Sequence, residues 1–306
     1  MLNIRNHSYW ICNRNIHILM AYEFIKESNI SLSTISLIHR NKIDLFLKSL
    51  KLIFYLFLIL FQKKKRLVLP HLSKLGIYFD ELYICLIKQL LKQNRIDFIN
   101  DGFVLNLPIV YRNLLPKNNK NFSIYSWKYQ YSLIDKSIKN NLKRNNILIE
   151  VVNYPLKAEN NKSMNQKLGK NLYIISSRFL SSRSVNKYLN VYYHKFQSII
   201  LINHPNKQKN LQISESFKYS VLDNNQLKGD LENYLVKNIN NSSIIIGMSN
   251  IILFLVTLKE TNTIFFDINL ILDKKLALKS LDKNIYDQYL IFLKKQVMKN
   301  INLRFL

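Results

Sequence analysis

The hydrophobic positions of this chain change their period repeatedly. YWIC (9–12) is a short continuous apolar run of strand type, NRN follows as a polar loop, and IHILMAYEFIKES then spaces its apolar residues as one face of a helix requires. Further strand-type runs, STISLI (33–38), RLVLP (66–70) and IDFIN (96–100), alternate with stretches at 43–62 and 80–93 that read as helices. Strands alternating with helices predict a parallel sheet covered on both faces.

The pattern then lapses. LKAENNKSMNQKLGKN (156–171) has little apolar periodicity and many polar residues, which predicts a linker. A second alternating set follows: strand LYIIS (172–176), helix SVNKYLNVYYHKF, strand SIILI (198–202), helix GDLENYLVKN, strand SSIIIG (242–247), helix SNIILFLVTLKE and strand TIFFDI (263–268). Two successive sets predict an α/β protein of two Rossmann-like domains, residues 1–155 and 172–306, facing each other across a cleft. In open α/β sheets ligands bind beyond the carboxyl ends of the strands, so the residues there carry the functional question.

Composition changes this picture little. With 48% hydrophobic and 12% aromatic residues in 306, the chain can fill the core of one large or two medium domains, which excludes wholesale disorder. Asn, Lys and Ile are abundant, and runs such as KNNKN and NNLKRNN are set aside as composition. Charge changes more. Forty-five Lys and Arg against 19 Asp and Glu give +26, a field that favours nucleic acid, acidic polysaccharide, phosphorylated glycolipid or an anionic membrane face. Up to residue 171 there are 27 basic and 10 acidic residues, and beyond it 18 and 9, so the anionic partner is expected mainly against the N-terminal half.

Cys12 and Cys85 lack metal-ligand spacing and sit in apolar segments, which predicts reduced, buried thiols and a cytoplasmic protein. MLNIRNHSYW has no continuous apolar core of a signal peptide. LIFYLFLILF (52–61) is about half the ~20 residues a spanning helix needs. Flanked by Lys48, Lys51 and the run KKKR (63–66), it reads either as a buried helix with a basic turn or as a segment lying on anionic lipid.

Four places at strand ends carry candidate chemistry. SIILI runs into His204-Pro205, and a proline restricts the residue before it to extended backbone, fixing the direction in which the imidazole leaves; the bland reading is a surface turn. Gly247 closes SSIIIG, and Ser249-Asn250 opens the next apolar helix, where a hydroxyl and free N–H groups suit a phosphate, or serve as an ordinary cap. Glu232, 17 residues before Ser249, could accept hydrogen bonds from ribose hydroxyls, or be an ordinary surface Glu. Asn100-Asp101-Gly102 ends IDFIN as a tight turn that leaves the Asp101 carboxylate at the rim, able to take a proton from an attacking hydroxyl.

In order and spacing these places resemble the bacterial sialyltransferases and polysialyltransferases, with their paired-acid-Gly, His-Pro and Ser-Ser/Thr motifs. The opening YWICNRNIHILMAYEFIKE looks like the first strand, loop and helix of the lipooligosaccharide branch. The resemblance implies a GT-B fold, with an acceptor-side N-terminal domain and a C-terminal domain that binds CMP-sialic acid. It implies that His204 contacts the CMP phosphate as general acid or electrostatic stabiliser, Glu232 holds the ribose, Ser249 holds the phosphate, and Asp101 lies in the motif that supplies the base. Asn100 stands where the family often has the base itself, and Asn250 replaces the second Ser/Thr. Transfer would be inverting and without a metal, since His204 and helix-terminal N–H groups stabilise the departing phosphate; no Asp-x-Asp or close His/Cys pair occurs in the sequence. The expected partners are CMP-sialic acid, an anionic glycan or glycolipid acceptor, the inner membrane face and a second copy in a homodimer. A polysialyltransferase, an enzyme using another CMP-activated sugar acid and a hexosyltransferase stay open. Nucleic acid is the reading from another class, against which the basic residues are dispersed and no known binding motif appears.

Overall fold

The computed structural model describes residues 7–28, 30–39, 41–62, 66–70, 75, 77–93, 95–100, 122–155, 170–177, 180–203, 211–222, 231–239, 243–247, 255, 267–272, 287–288, 291 and 301–305. The chain divides into two compact units, Met1–Pro155 and Leu156–Leu306. Each is an α/β unit around a parallel sheet.

In the first unit, β1 (Ser8–Cys12) leads into α1 (Asn15–Glu27), β2 (Leu32–Ser36), α2 (Lys42–Phe61), β3 (Arg66–Leu69), α3 (Asp80–Gln93) and β4 (Arg95–Ile99). Then come β5 (Ser123–Trp127), α4 (Lys128–Leu133), α5 (Lys136–Arg144) and β6 (Leu148–Val152). The sheet order is β2-β1-β3-β4-β5-β6, with every pairing parallel.

Side chains alternate between the sheet's faces, and the alternation assigns the layers. Ile11, Leu67, Leu69, Ile96, Phe98 and Ile124 meet Leu52 and Leu56 of α2 and Leu86 and Leu90 of α3 in one core. Trp10 and Tyr125 point the other way, with ring centroids 4.6 Å apart, and Phe24 of α1 packs 4.9 Å from Tyr125. The same face carries a polar ladder near the amino ends of the strands. Arg66 pairs with fully buried Asp97, Asp97 Oδ1 accepts from the Ser123 N–H at 2.6 Å, and the Arg66 guanidinium lies 5.2 Å from the Tyr125 ring centre. Burial alone would lower the Arg66 pKa; Asp97, Tyr125 and Glu150 outweigh it and raise it.

Local signals fix the helix ends. Asn41 caps α2 by accepting from the Asp44 N–H at 2.8 Å, and Asp135 caps α5 by accepting from the Ser137 N–H at 2.8 Å. NNLKRNN, set aside above as composition, is structural: it holds the last turn of α5, buries Leu142, and ends on Asn146 at φ 56°, the left-handed conformation asparagine tolerates. The cysteines also need correcting. Cys12 is buried, but Cys85 sits on the exposed side of α3, because its neighbours Leu86 and Ile87 take the core positions.

The second unit comprises β7 (Asn171–Ile175), α6 (Ser182–Tyr192), β8 (Ser198–Ile202), β9 (Ser220–Leu222), α7 (Leu231–Asn238), β10 (Ile244–Gly247), β11 (Asp267–Leu272) and β12 (Ile301–Phe305). The helix expected to run on to Phe196 gives way at Tyr193–Lys195 to a single 3-10 turn. Apart from Leu255, the helix expected at 249–260 lies outside the described residues, as does the linker up to residue 169. The sheet order is β12-β11-β10-β7-β8-β9, all parallel, which read from β9 is the 3-2-1-4-5-6 winding of the Rossmann fold. Leu172, Ile174, Ile199 and Leu201 pack against Val185, Tyr188 and Leu189 of α6. Tyr173 faces the other side, where its hydroxyl donates to the Asn238 carbonyl at 2.9 Å and ties down the end of α7.

Candidate functional site

Because each sheet is wholly parallel, the residues following its strands gather along one edge. In the first unit the winding reverses between β1 and β3, and the β1 exit is Asn13-Arg14, leading into α1. His17, in the first turn of α1, is buried. At the β4 exit, Asn100 is 4% exposed. Its N–H donates to the Tyr125 carbonyl at 2.7 Å, extending the β4–β5 ladder by one residue, and its Nδ2 donates to Ser126 Oγ at 3.0 Å. Gln130 is buried just past the β5 exit, in α4.

Three acceptor atoms on this rim, Asn13 Oδ1, Asn100 Oδ1 and Gln130 Oε1, are buried without a hydrogen-bond partner. Leaving one such atom unpaired costs about 1–3 kcal/mol, so native folds hold few of them. Three on the carboxyl edge of one sheet are what a site for a hydroxyl-rich ligand would provide. By contrast, the Arg66–Asp97 ladder starts at the first residue of β3, away from the carboxyl edge, and both Asp97 oxygens are engaged, Oδ2 by Arg66 and Oδ1 by the Ser123 N–H; Arg66 Nη2 is buried without a hydrogen bond, 4.0 Å from Glu150.

The second unit repeats the arrangement at β10-β7-β8, around the reversal between β7 and β10. Gly247 pairs with Ile175 across that reversal at φ 123°, and a Cβ added there would lie 2.4 Å from the Ile175 carbonyl oxygen. Only glycine fits, so β10 and β7 meet there as bare backbone. Beside it, the Ser176 N–H donates to the Ile202 carbonyl at 3.0 Å, and the Asn203 N–H to the Leu222 carbonyl at 3.2 Å. These bonds hold both residues at the rim, where Ser176 Oγ and Asn203 Oδ1 are buried without partners. Glu232 is half-buried in the first turn of α7.

Of the residues singled out from the sequence, Asn100, Gly247 and Glu232 are described, the first two at strand exits as expected. Asp101, His204, Pro205, Ser249 and Asn250 lie outside the described residues. Asn13, His17, Ser126 and Gln130 in the first unit, and Ser176 and Asn203 in the second, were missed. The sequence did carry a signal: Asn13, Ser176 and Asn203 each directly follow an apolar run. Neither β1 nor β7 is followed by a glycine-rich turn; NRN and SSRFLSS stand where dinucleotide-binding sheets carry G-x-G-x-x-G. Among the described residues, no three His, Cys, Asp or Glu side chains come together as a metal site.

No protein-family model matches the chain, and no curated protein does. Among solved structures, a ketoreductase domain from the bacillaene assembly line is similar at 8% identity and a TM-score of 0.25, over 97% of this chain and 78% of that one. A likeness that slight carries no argument about fold or activity.

Proposed function

We propose that the chain is a sialyltransferase of GT-B arrangement, transferring sialic acid from CMP-sialic acid to a terminal sugar of a bacterial surface glycan, with inversion and without a metal. The observation that supports this reading most is the close approach of bare backbone at Gly247, the last residue of β10, to Ile175 of β7 at the winding reversal of a nucleotide-binding type of sheet, where the chain runs on from β10 to Ser249 and from the neighbouring β8 to His204. In the proposed reaction the acceptor hydroxyl attacks the anomeric carbon from the face opposite CMP, and Asp101 takes its proton. The bond to the phosphate oxygen breaks, and His204 stabilises or protonates the departing phosphate. Glu232 holds the ribose and Ser249 the phosphate. The three unpaired acceptors of the first unit, Asn13, Asn100 and Gln130, would take hydrogen bonds from acceptor-sugar hydroxyls.

The test is to incubate purified protein with CMP-sialic acid and a panel of galactosides and sialosides, following CMP release with and without EDTA. Release that depends on acceptor, survives EDTA and disappears in His204→Ala supports the reading. Absence of transfer to every acceptor, or a full rate in His204→Ala, overturns it. Asn100→Asp compared with Asp101→Ala identifies the base, and product length separates a single transfer from polymer extension. A chain retained by RNA at raised salt but not by immobilised CMP would instead be a nucleic-acid-binding protein.

A further inference from the structure

Helix α2 is apolar on two sides. Leu52, Leu56 and Ile59 face the core of the first unit. Ile43, Leu47, Leu50, Phe54, Leu58 and Phe61 face away, with Ile43 72%, Phe54 62% and Phe61 82% exposed. Their spacing of three and four residues makes one stripe along all 20 residues, about 30 Å of helix, covering an arc of roughly 120° when Phe46 and Phe57 are included. Half-exposed Tyr78 widens it further, its ring 5.4 Å from that of Phe46. Scattered exposed hydrophobics are normal, but a continuous stripe this long marks a surface that is covered in use.

We infer that this stripe docks on a lipid bilayer carrying anionic headgroups, with α2 lying in the plane of the interface. Charge selects that occupant. The chain carries +26, exposed Lys42 and Lys51 border the stripe, and the sequence continues past the helix with Lys63, Lys64 and Lys65. The only acidic residue of α2, Asp44, is bonded to Lys48 at 3.0 Å and lies off the stripe. Phenylalanines and leucines on one side with lysines at the margin are the composition of an interfacial helix, whose basic side chains reach up to phosphates while the rings sink below them. The helix does not cross, because its opposite side is the core of the unit and, among the described residues, no helix is long and apolar enough to span. This assignment stands whether or not the chain transfers sialic acid.

The test is flotation of the full chain with phosphatidylcholine vesicles, with and without phosphatidylglycerol, beside light scattering of the protein alone. The protein should float with the phosphatidylglycerol vesicles, and more weakly as salt rises. A Phe54→Trp reporter should shift its emission to the blue on those vesicles, since native Trp10 and Trp127 are already buried. Replacing Phe54 and Phe61 together by Gln keeps the charge and should weaken binding at least about tenfold, with an unchanged circular-dichroism melt. Flotation unaffected by that double change would show charge alone at work and overturn the inference. So would absence of flotation, including the case in which the double change splits a dimer and so assigns the stripe to a second copy.

Discussion

Replacing Gly247 by Ala tests the geometry of the second unit most directly. At φ 123° the backbone is in a region that side-chain-bearing residues avoid, at a cost on the order of 1–3 kcal/mol. The new methyl would also sit 2.4 Å from the Ile175 carbonyl oxygen and 3.3 Å from its Cβ. That oxygen cannot retreat freely, because Ile175 lies in the central strand, paired with Gly247 on one side and Ile202 on the other. Forcing atoms into a packed site costs about 1–3 kcal/mol more. The expected destabilisation is therefore about 2–6 kcal/mol, which for a unit of this size lowers its melting temperature by roughly 4–24 °C, at ~2–4 °C per kcal/mol. Calorimetry and guanidinium unfolding of the full chain would read it as a transition moved down relative to wild type. A variant that melts with the wild type would refute the claim that bare backbone is required at the winding reversal.

Asp97→Ala removes the main partner of the Arg66 guanidinium on a buried sheet face, leaving Glu150 at 4.0 Å and the Tyr125 ring, and should cost about 3–5 kcal/mol in denaturant unfolding, whereas Arg66→Met with Asp97→Leu should recover most of that loss. A double variant as unstable as the single one would show that packing, not charge pairing, dominates there. A disulfide reagent at neutral pH should label Cys85 at once and Cys12 only as fast as the unit opens; rapid labelling of both would contradict the burial of Cys12. Burial pushes the Cys12 thiol from 9.0 up to about 12, so the folded chain keeps a proton that the unfolded chain loses. Its contribution is complete below pH 9.0 and declines by up to about 1.4 kcal/mol per pH unit towards pH 12. Tyr173, raised by burial from 10.0 to about 12, adds a second decline above pH 10.0, so Cys12→Ala should flatten stability specifically between the two onsets.

The alternation of strands and helices was legible in the sequence wherever apolar runs were continuous, as in β1, β3, β7 and β8. It failed where polar residues are buried. SIYSW forms β5 with all five residues buried, because Ser123 meets Asp97 and Ser126 meets Asn100 on the neighbouring strand. No local pattern reveals that satisfaction, since the partners are 26 residues away. Strand β6 was missed for the opposite reason: it is an edge strand, with Leu148 and Val151 exposed and Glu150 at its centre. The apolar run 52–61 was legible as a helix, but its two-sidedness was not, because an all-round apolar segment gives no sign of which side is covered. At the site, Asn100 and Gly247 could be read from where apolar runs stop. The unpaired atoms of Asn13, Gln130, Ser176 and Asn203 depend on pairings that only the fold creates.

The two sheets are wound differently, and this bears on how the chain arose. Setting β7 on β1 and β8 on β2 brings β10, not β9, onto β3, so β9 and β6 are left without counterparts. Tandem copying of an ancestral half would have preserved the winding, so on that origin the five matched strands are the shared part and β6 and β9 are border strands gained or lost afterwards; otherwise the halves had separate origins. Equivalent positions in the halves therefore have to be matched by strand adjacency, since counting elements along the chain pairs the wrong residues beyond the second strand.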